Sequence, residues 1–133
     1  FNFIALLFFS IIFLNWNFSS NLNLPRPDKT LKQIQTITES IIKRIPEGVS
    51  FNVASFSGEP WYSAEEYRYY TYYFGKRAQD ADNYKHIDKL FVIAAGPMEN
   101  PLAIRSQETV DFGATKIEDK WETESVKIFQ LAR

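Results

Sequence analysis

Aromatic side chains are the residues of this sequence whose types and spacing most clearly indicate binding chemistry. Trp61 and Tyr62 precede a run at positions 67–74 in which six of the eight residues carry a ring. If the run is helical, its rings point in all directions around about two turns, so they cannot all face one core. Tyrosine offers a flat apolar face for a sugar ring and a hydroxyl group for hydrogen bonding.

Helical spacing divides these rings into two groups. Tyr67, Tyr70 and Phe74 are three and four residues apart, so we expect them to face the core. The other rings could cover a sheet edge, or they could contact a glycan or a protein partner, because exposed aromatic residues are enriched at interfaces. The candidate ligand-binding residues are therefore Trp61, Tyr62, Tyr69, Tyr72 and Tyr73.

Acidic residues and the single histidine are weaker candidates. The pairs Glu65/Glu66 and Asp80/Asp82 could act as acid and base, but we expect structural roles, since perturbed acids are a minority of surface acids. His86 stands alone and cysteine is absent, which excludes a thiolate or multi-histidine metal site. The glycines are isolated at element boundaries, so no phosphate loop is present. We predict no catalytic residue, no metal and no cofactor in this chain.

The elements that must position these residues can be read from periodicity. An amphipathic helix is predicted from a cap at Asp28 to position 45, and residues 46–48 end it. A strand with one buried face follows at 49–56. Ser63 and Glu66 form a capping box that opens the aromatic helix, and Gly75 ends it.

The second half of the chain adds a buried strand at 89–95, since a short continuous apolar run suits burial on both faces. The loop at 96–101 follows this strand, where α/β proteins often place ligand loops, although a proline-stiffened connection is the favoured interpretation. A weaker helix is predicted at 101–112, and strands at 114–121 and 125–131 are joined by a turn at 122–124. The order predicts an α/β domain with a mixed sheet of about four strands, containing a parallel pair and an antiparallel hairpin.

The N-terminal segment differs from the rest in composition. Residues 1–16 contain no charge and consist mainly of Phe, Ile, Leu and Ala. We predict a transmembrane helix at 1–18, truncated at its N-terminus because sixteen residues span only about 24 Å of a hydrocarbon core roughly 30 Å thick. A signal peptide is the alternative, but the segment has neither a basic region nor an Ala-x-Ala site. A buried core helix is a third interpretation, disfavoured because the run has no polar face.

These assignments predict a linker at 19–28 and a domain at 29–133. The flank of the predicted span carries no positive charge before Arg26, which favours the extracytoplasmic side for the domain.

With 15 Lys and Arg against 16 Asp and Glu, the chain has no basic field for nucleic acid. The predicted partners are the lipid bilayer through residues 1–18, further transmembrane segments of the same protein, and a glycan or polyprenyl-linked sugar.

The order of features, together with three short matches, resembles a known family. The matches are the segments 51–53 (Phe-Asn-Val), 72–75 (Tyr-Tyr-Phe-Gly) and 90–93 (Leu-Phe-Val-Ile). They resemble the C-terminal extracytoplasmic region of bacterial multi-span glycosyltransferases related to the dolichyl-phosphate-mannose protein mannosyltransferases and aminoarabinose transferases.

The resemblance implies a membrane protein of the bacterial cell envelope that transfers a sugar from a polyprenyl-phosphate donor. It places the family's catalytic acids in the first outward loop of the transmembrane part, so no catalytic residue is carried over to this chain. The domain would then be an accessory part that is inactive alone. Two other classes stay open, a single-span binding or scaffolding module and a membrane-tethered hydrolase.

Overall fold

A computed structural model describes residues 31–56 and 64–133 of the chain. The predicted transmembrane helix at 1–18, the predicted linker at 19–28 and the cap at Asp28 lie outside these ranges, as do Trp61 and Tyr62. Within the described ranges, none of the helices combines the length and the apolar character that crossing a membrane requires.

The described ranges contain helices and strands in the predicted order. The elements are α1 Leu31–Ile42, β1 Phe51–Phe56, α2 Glu65–Tyr73, β2 Lys89–Ala95, a 3₁₀ helix at Pro101–Ala103, α3 Gln107–Phe112, β3 Lys116–Thr123 and β4 Val126–Ala132. The single helix predicted at 101–112 is wrong in detail. It is divided because Asn100 caps the 3₁₀ turn and the Ser106 hydroxyl then accepts the Thr109 N–H and starts a new helix.

The four strands form one mixed sheet in the order β1-β2-β4-β3. Strand β1 pairs parallel to β2, with Phe51 opposite Lys89, and the crossover between them contains α2. Strand β4 is antiparallel to both β2 and β3. The predicted α/β class, the parallel pair and the terminal hairpin are confirmed.

Apolar side chains cover both faces of the sheet. On one face, Ile37 and Tyr67 from the helices pack with Phe91 and Ile128. On the other, the connections after α2 and β2 supply Tyr84 and Phe112 against Val92, Phe129 and Leu131. The prediction that the first strand has one buried face is therefore wrong, because the segment that contains Tyr84 also buries Asn52 and Ala54. The prediction that 89–95 is buried on both faces is confirmed.

The final hairpin turns later than predicted. Thr123 pairs with Val126, so Glu124 and Ser125 alone form the loop, in place of the predicted turn at 122–124. Both residues have positive φ, 50° and 61°, as two-residue hairpin loops of type I′ require. The sequence lacks the Asn-Gly or Asp-Gly pair that usually indicates such a turn, which explains the error.

Phe91 lies at the centre of the helix-covered face and tests this packing. It is 1 % exposed, and its ring contacts those of Phe51 and Trp121 at centroid distances of 6.1 and 6.3 Å. We expect Phe91→Ala to lower the free energy of unfolding by about 3–5 kcal/mol in denaturant titrations. The control Tyr73→Ala removes an exposed ring and should change it by only about 0.5 kcal/mol. Equal effects of the two substitutions would contradict the packing described here.

Candidate functional site: a tyrosine groove beside α2

Helix α2 begins one residue later than predicted and ends as predicted at Gly75. Ala64 occupies the N-cap position and has no side-chain cap hydrogen bond, so the N-cap lies one residue after the predicted Ser63; the predicted capping box involves Ser63, which lies outside the described residues. At the other end, Phe74 is the C-cap and Gly75 follows with φ 84°. The N–H groups of Gly75 and Lys76 donate to the carbonyls of Tyr72 and Thr71, a Schellman arrangement that reverses the chain there.

The rings of α2 divide largely as their spacing predicts. Tyr67 and Tyr70 are buried and Phe74 is half-buried. The three predicted contact residues that the structure describes are exposed by 62 %, 68 % and 67 %, in the order Tyr69, Tyr72, Tyr73. Aromatic side chains are enriched at interfaces, so these exposed rings are candidates for contact with a ligand or a partner.

Tyr69 and Tyr72 line an open groove of about 490 Å³, which we call the tyrosine groove. Helix α2 forms one wall and the segment that returns from Gly75 forms the other. The lining residues are Glu65, Arg68, Tyr69, Tyr72, Arg77, Ala78, Gln79, Asp80 and Ala81. Tyr73 is exposed but is not among them, so of the three predicted contact residues that the structure describes, Tyr69 and Tyr72 are brought together.

Arg68 and Asn52 hold the groove to the sheet. The Arg68 guanidinium donates from Nε to Asn52 Oδ1 at 2.9 Å, and from Nη2 to the Val53 carbonyl at 2.9 Å and the Tyr84 hydroxyl at 2.6 Å. Asn52 Oδ1 also accepts the Val53 N–H at 2.8 Å. Because β1 is an edge strand, these bonds satisfy backbone groups that a neighbouring strand would otherwise pair.

The opposite wall is fixed by the same asparagine. The Asn52 Nδ2 amide donates to the carbonyls of Asp80 and Asn83 at 3.0 and 3.1 Å. The Gln79 N–H donates to the Phe51 carbonyl at 2.9 Å, and the Ala78 N–H donates to Thr71 Oγ1 at 3.2 Å. Asn52 therefore contacts both walls of the groove, one through Arg68 and the other through its own amide.

Sequence reasoning missed Arg68 and Asn52 as site residues. A signal was present in each case: Arg68 is the only cation within the aromatic run at 67–74, and Asn52 interrupts a strand of otherwise apolar and small residues. A fully buried amide needs partners for its donors and its acceptor, which predicts a network at that position.

The other sequence candidates fall in different places. Glu65 and Asp80 line the groove and are exposed, whereas Glu66 is half-buried and Asp82 and His86 are exposed outside it. Across the described ranges, no three His, Cys, Asp or Glu side chains lie close enough together to hold a metal ion.

The loop at 96–101 has structural partners. Glu99 pairs with Lys127, and Asn100 Oδ1 accepts the Leu102 N–H at 3.0 Å. Glu99 also borders a second concavity of about 340 Å³ at the β3–β4 end of the sheet. It is smaller than the tyrosine groove, and within the described ranges its lining includes none of the predicted contact residues, so the tyrosine groove is the stronger candidate.

Burial controls the ionisation of two tyrosines near the groove. It raises the pKa of Tyr67 above the ordinary value, and the nearby Glu66 carboxylate adds to the effect. Burial also raises the pKa of Tyr84, and this effect exceeds the opposing effect of the Arg68 charge. Both phenols are therefore neutral at physiological pH, and the Tyr84 hydroxyl remains a hydrogen-bond partner of Arg68.

Comparison with known proteins adds no assignment. No family model matches this chain, and neither the curated proteins nor the solved structures include one with significant similarity to it. The resemblance to membrane glycosyltransferases therefore stays a prediction.

We expect Asn52→Ala to destabilise the domain by about 2–4 kcal/mol, because it leaves buried carbonyls and the Arg68 guanidinium without their partner. Denaturant titration followed by circular dichroism measures this change. The matched control is Asn100→Ala, which removes an exposed cap of a short 3₁₀ helix and should cost no more than about 1 kcal/mol. A cost for Asn52→Ala as small as that of the control would show that the network does not hold the groove.

The raised pKa of Tyr67 predicts a loss of stability at high pH. The unfolded chain releases the phenolic proton above pH 10 or so, whereas the native protein keeps it, so the stabilisation is complete below that pH and declines above it. We expect the free energy of unfolding of Tyr67→Phe to fall less steeply than that of the unsubstituted protein between pH ~9.5 and ~11. Identical slopes would contradict the assigned burial of this phenol.

Proposed function

We propose that this domain is a non-catalytic carbohydrate-binding module and that the tyrosine groove is its binding site. The observation that carries the proposal is the position of Tyr69 and Tyr72, two exposed rings that border one groove together with two carboxylates and two guanidinium groups. Aromatic faces pack against the C–H faces of sugar rings, while charged groups make strong hydrogen bonds to hydroxyls.

The arrangement favours a ligand that is both apolar on its faces and rich in hydroxyl groups. Tyr69 contacts Tyr70 edge to face at a centroid distance of 5.2 Å, and the ring of Tyr70 is itself buried, so Tyr69 is supported from below. Glu65 and Asp80 can accept hydrogen bonds from hydroxyls, and Arg68 and Arg77 can donate to ring or hydroxyl oxygens. An apolar peptide would displace water from these four charged side chains and offer them no hydrogen-bond partner, which disfavours it as a ligand.

Two features support binding without catalysis. Glu65 and Asp80 are exposed in an open groove, whereas active sites commonly exclude water from the reacting groups. The guanidinium of Arg68 is occupied by Asn52, Val53 and Tyr84, so it fixes the groove and is not free to follow a reacting group. The membrane-tethered hydrolase is therefore not proposed.

The finer proposal concerns the protein in which the module acts. We infer an extracytoplasmic accessory domain of a membrane glycosyltransferase-like protein that uses a polyprenyl-phosphate sugar donor, with residues 1–18 in the bilayer. The support is the resemblance of the segments 51–53, 72–75 and 90–93, together with a groove suited to an acceptor glycan. In a single-span envelope protein the same groove would serve as the recognition site.

The reading frame upstream of Phe1 separates these two settings. Several further spans with an acidic first outward loop would support the transferase setting. A start codon and basic residues directly before Phe1 would contradict it and leave the single-span binding module.

Substitutions in the groove test carbohydrate binding. We expect Tyr69→Ala and Tyr72→Ala each to weaken binding of a neutral oligosaccharide about five- to tenfold, because each removes one stacking face worth roughly 1 kcal/mol or more. Binding is measured by NMR titration of the full chain in phosphatidylcholine nanodiscs, which contain no sugar headgroup. The probes are gluco-, manno- and N-acetylglucosamine-based oligosaccharides.

Two variants serve as matched controls. Tyr73→Ala removes an equally exposed ring of the same helix outside the groove and should leave affinity unchanged. Tyr72→Phe keeps the stacking face and should retain most of the affinity. If no probe binds, or if Tyr73→Ala weakens binding as much as Tyr72→Ala, the groove is not the carbohydrate site.

A further inference from the structure

The positive charge of Arg68 is held by hydrogen bonds to neutral groups and is not paired with a carboxylate among the described residues. The side chain is half-buried, and its three hydrogen-bond acceptors are a carboxamide, a backbone carbonyl and a phenol, all of them neutral. Among residues 31–56 and 64–133, the ion pairs within 4 Å do not include Arg68. An immobilised cation of this kind is ready to accept an anion, since its orientation is already fixed.

We propose that the tyrosine groove binds a sugar that carries one anionic substituent, a carboxylate or a phosphate, and that Arg68 holds this substituent. The inference rests on the proposed carbohydrate-binding function. Nε and Nη2 of Arg68 donate to the protein, whereas the hydrogen bonds within the described ranges include none from Nη1. Nη1 carries two N–H groups, which suit an oxyanion.

The other charges of the groove limit the ligand to one anionic group. Arg77 adds a second cation, but its guanidinium lies 3.7 Å from the Asp80 carboxylate, and both side chains are exposed. Glu65 and Asp80 border the same groove and repel a polyanion. The anion therefore lies beside Arg68, and the neutral part of the sugar lies over Tyr69 and Tyr72.

The test compares matched ligands on the unsubstituted full chain in phosphatidylcholine nanodiscs. Glucose and mannose are titrated beside their uronic acids and their 6-phosphates, with acetate and inorganic phosphate as sugar-free anions. We expect the uronate or the phosphate form to bind about tenfold more tightly than the neutral sugar at low salt. This advantage should shrink as sodium chloride is raised, while the affinity for the neutral sugar stays constant. The uronate and phosphate arms identify which oxyanion the groove prefers.

Arg68→Gln assigns the effect to this residue. It should reduce the ratio of anionic to neutral affinity from about ten to about one, and this ratio is the readout because losing the bonds of Arg68 to the groove also lowers the affinity for the neutral sugar. Arg77→Gln is the matched control at the exposed cation of the same groove and should keep most of the advantage. Circular dichroism checks that each variant is folded, and if Arg68→Gln does not fold, the ligand and salt series on the unsubstituted chain decides.

The outcomes separate this inference from the function on which it rests. If neutral and anionic sugars bind equally well, or if Arg68→Gln weakens both alike, the anion subsite is wrong and carbohydrate binding stands. If none of the sugars binds, the proposed function fails as well. If acetate or phosphate alone binds as tightly as the sugar acids, the groove is an anion site without sugar recognition, and both proposals are overturned.

Discussion

The hydrogen bonds between Asn52 and Arg68 are the interaction on which the rest of the described structure most depends. Strand β1 lies at an edge of the sheet, and an open edge exposes backbone groups that must find partners. Arg68 and the Asn52 side chain satisfy those of Val53, and Asn52 also binds the carbonyls of Asp80 and Asn83. The same few atoms therefore close the edge of the sheet and set the distance between the two walls of the tyrosine groove.

This arrangement connects stability to binding in one residue pair. An asparagine buried at 0 % exposure must have all its polar atoms paired, and a half-buried guanidinium must be held by several acceptors to remain in place. Arg68 donates a hydrogen bond to the buried Asn52 oxygen, and that oxygen is one of the acceptors that hold the guanidinium in place. The result is a rigid base beneath two exposed tyrosines, and a preformed site loses less conformational entropy when a ligand binds.

Much of the fold could be predicted from the sequence because its strongest signals are local. The apolar run at 89–95 is a strand buried on both faces, and the order of helices and strands follows from periodicity and from glycine and proline positions. The errors arise where a distant segment decides the outcome. Asn52 is buried by a segment about thirty residues away, which supplies the Asp80 and Asn83 carbonyls, and the hairpin turn at Glu124 and Ser125 depends on pairing with β4.

The site was predictable only in part, for the same reason. Spacing separated Tyr67 and Tyr70, which are buried, from Tyr69 and Tyr72, which border the groove. It could not exclude Tyr73, because the groove needs a second wall whose path is fixed by Gly75 and Thr71. Nor could it single out Arg68, whose role depends on acceptors from β1 and from the segment after α2.

The central claim is that a sugar lies over Tyr69 and Tyr72. The most direct measurement is the set of intermolecular nuclear Overhauser effects between a bound oligosaccharide and the tyrosine ring protons of the full chain. The account predicts contacts from sugar C–H protons to the rings of Tyr69 and Tyr72. Contacts confined to Tyr73 or to Trp121, or a bound sugar with no contact to any tyrosine ring, would contradict it.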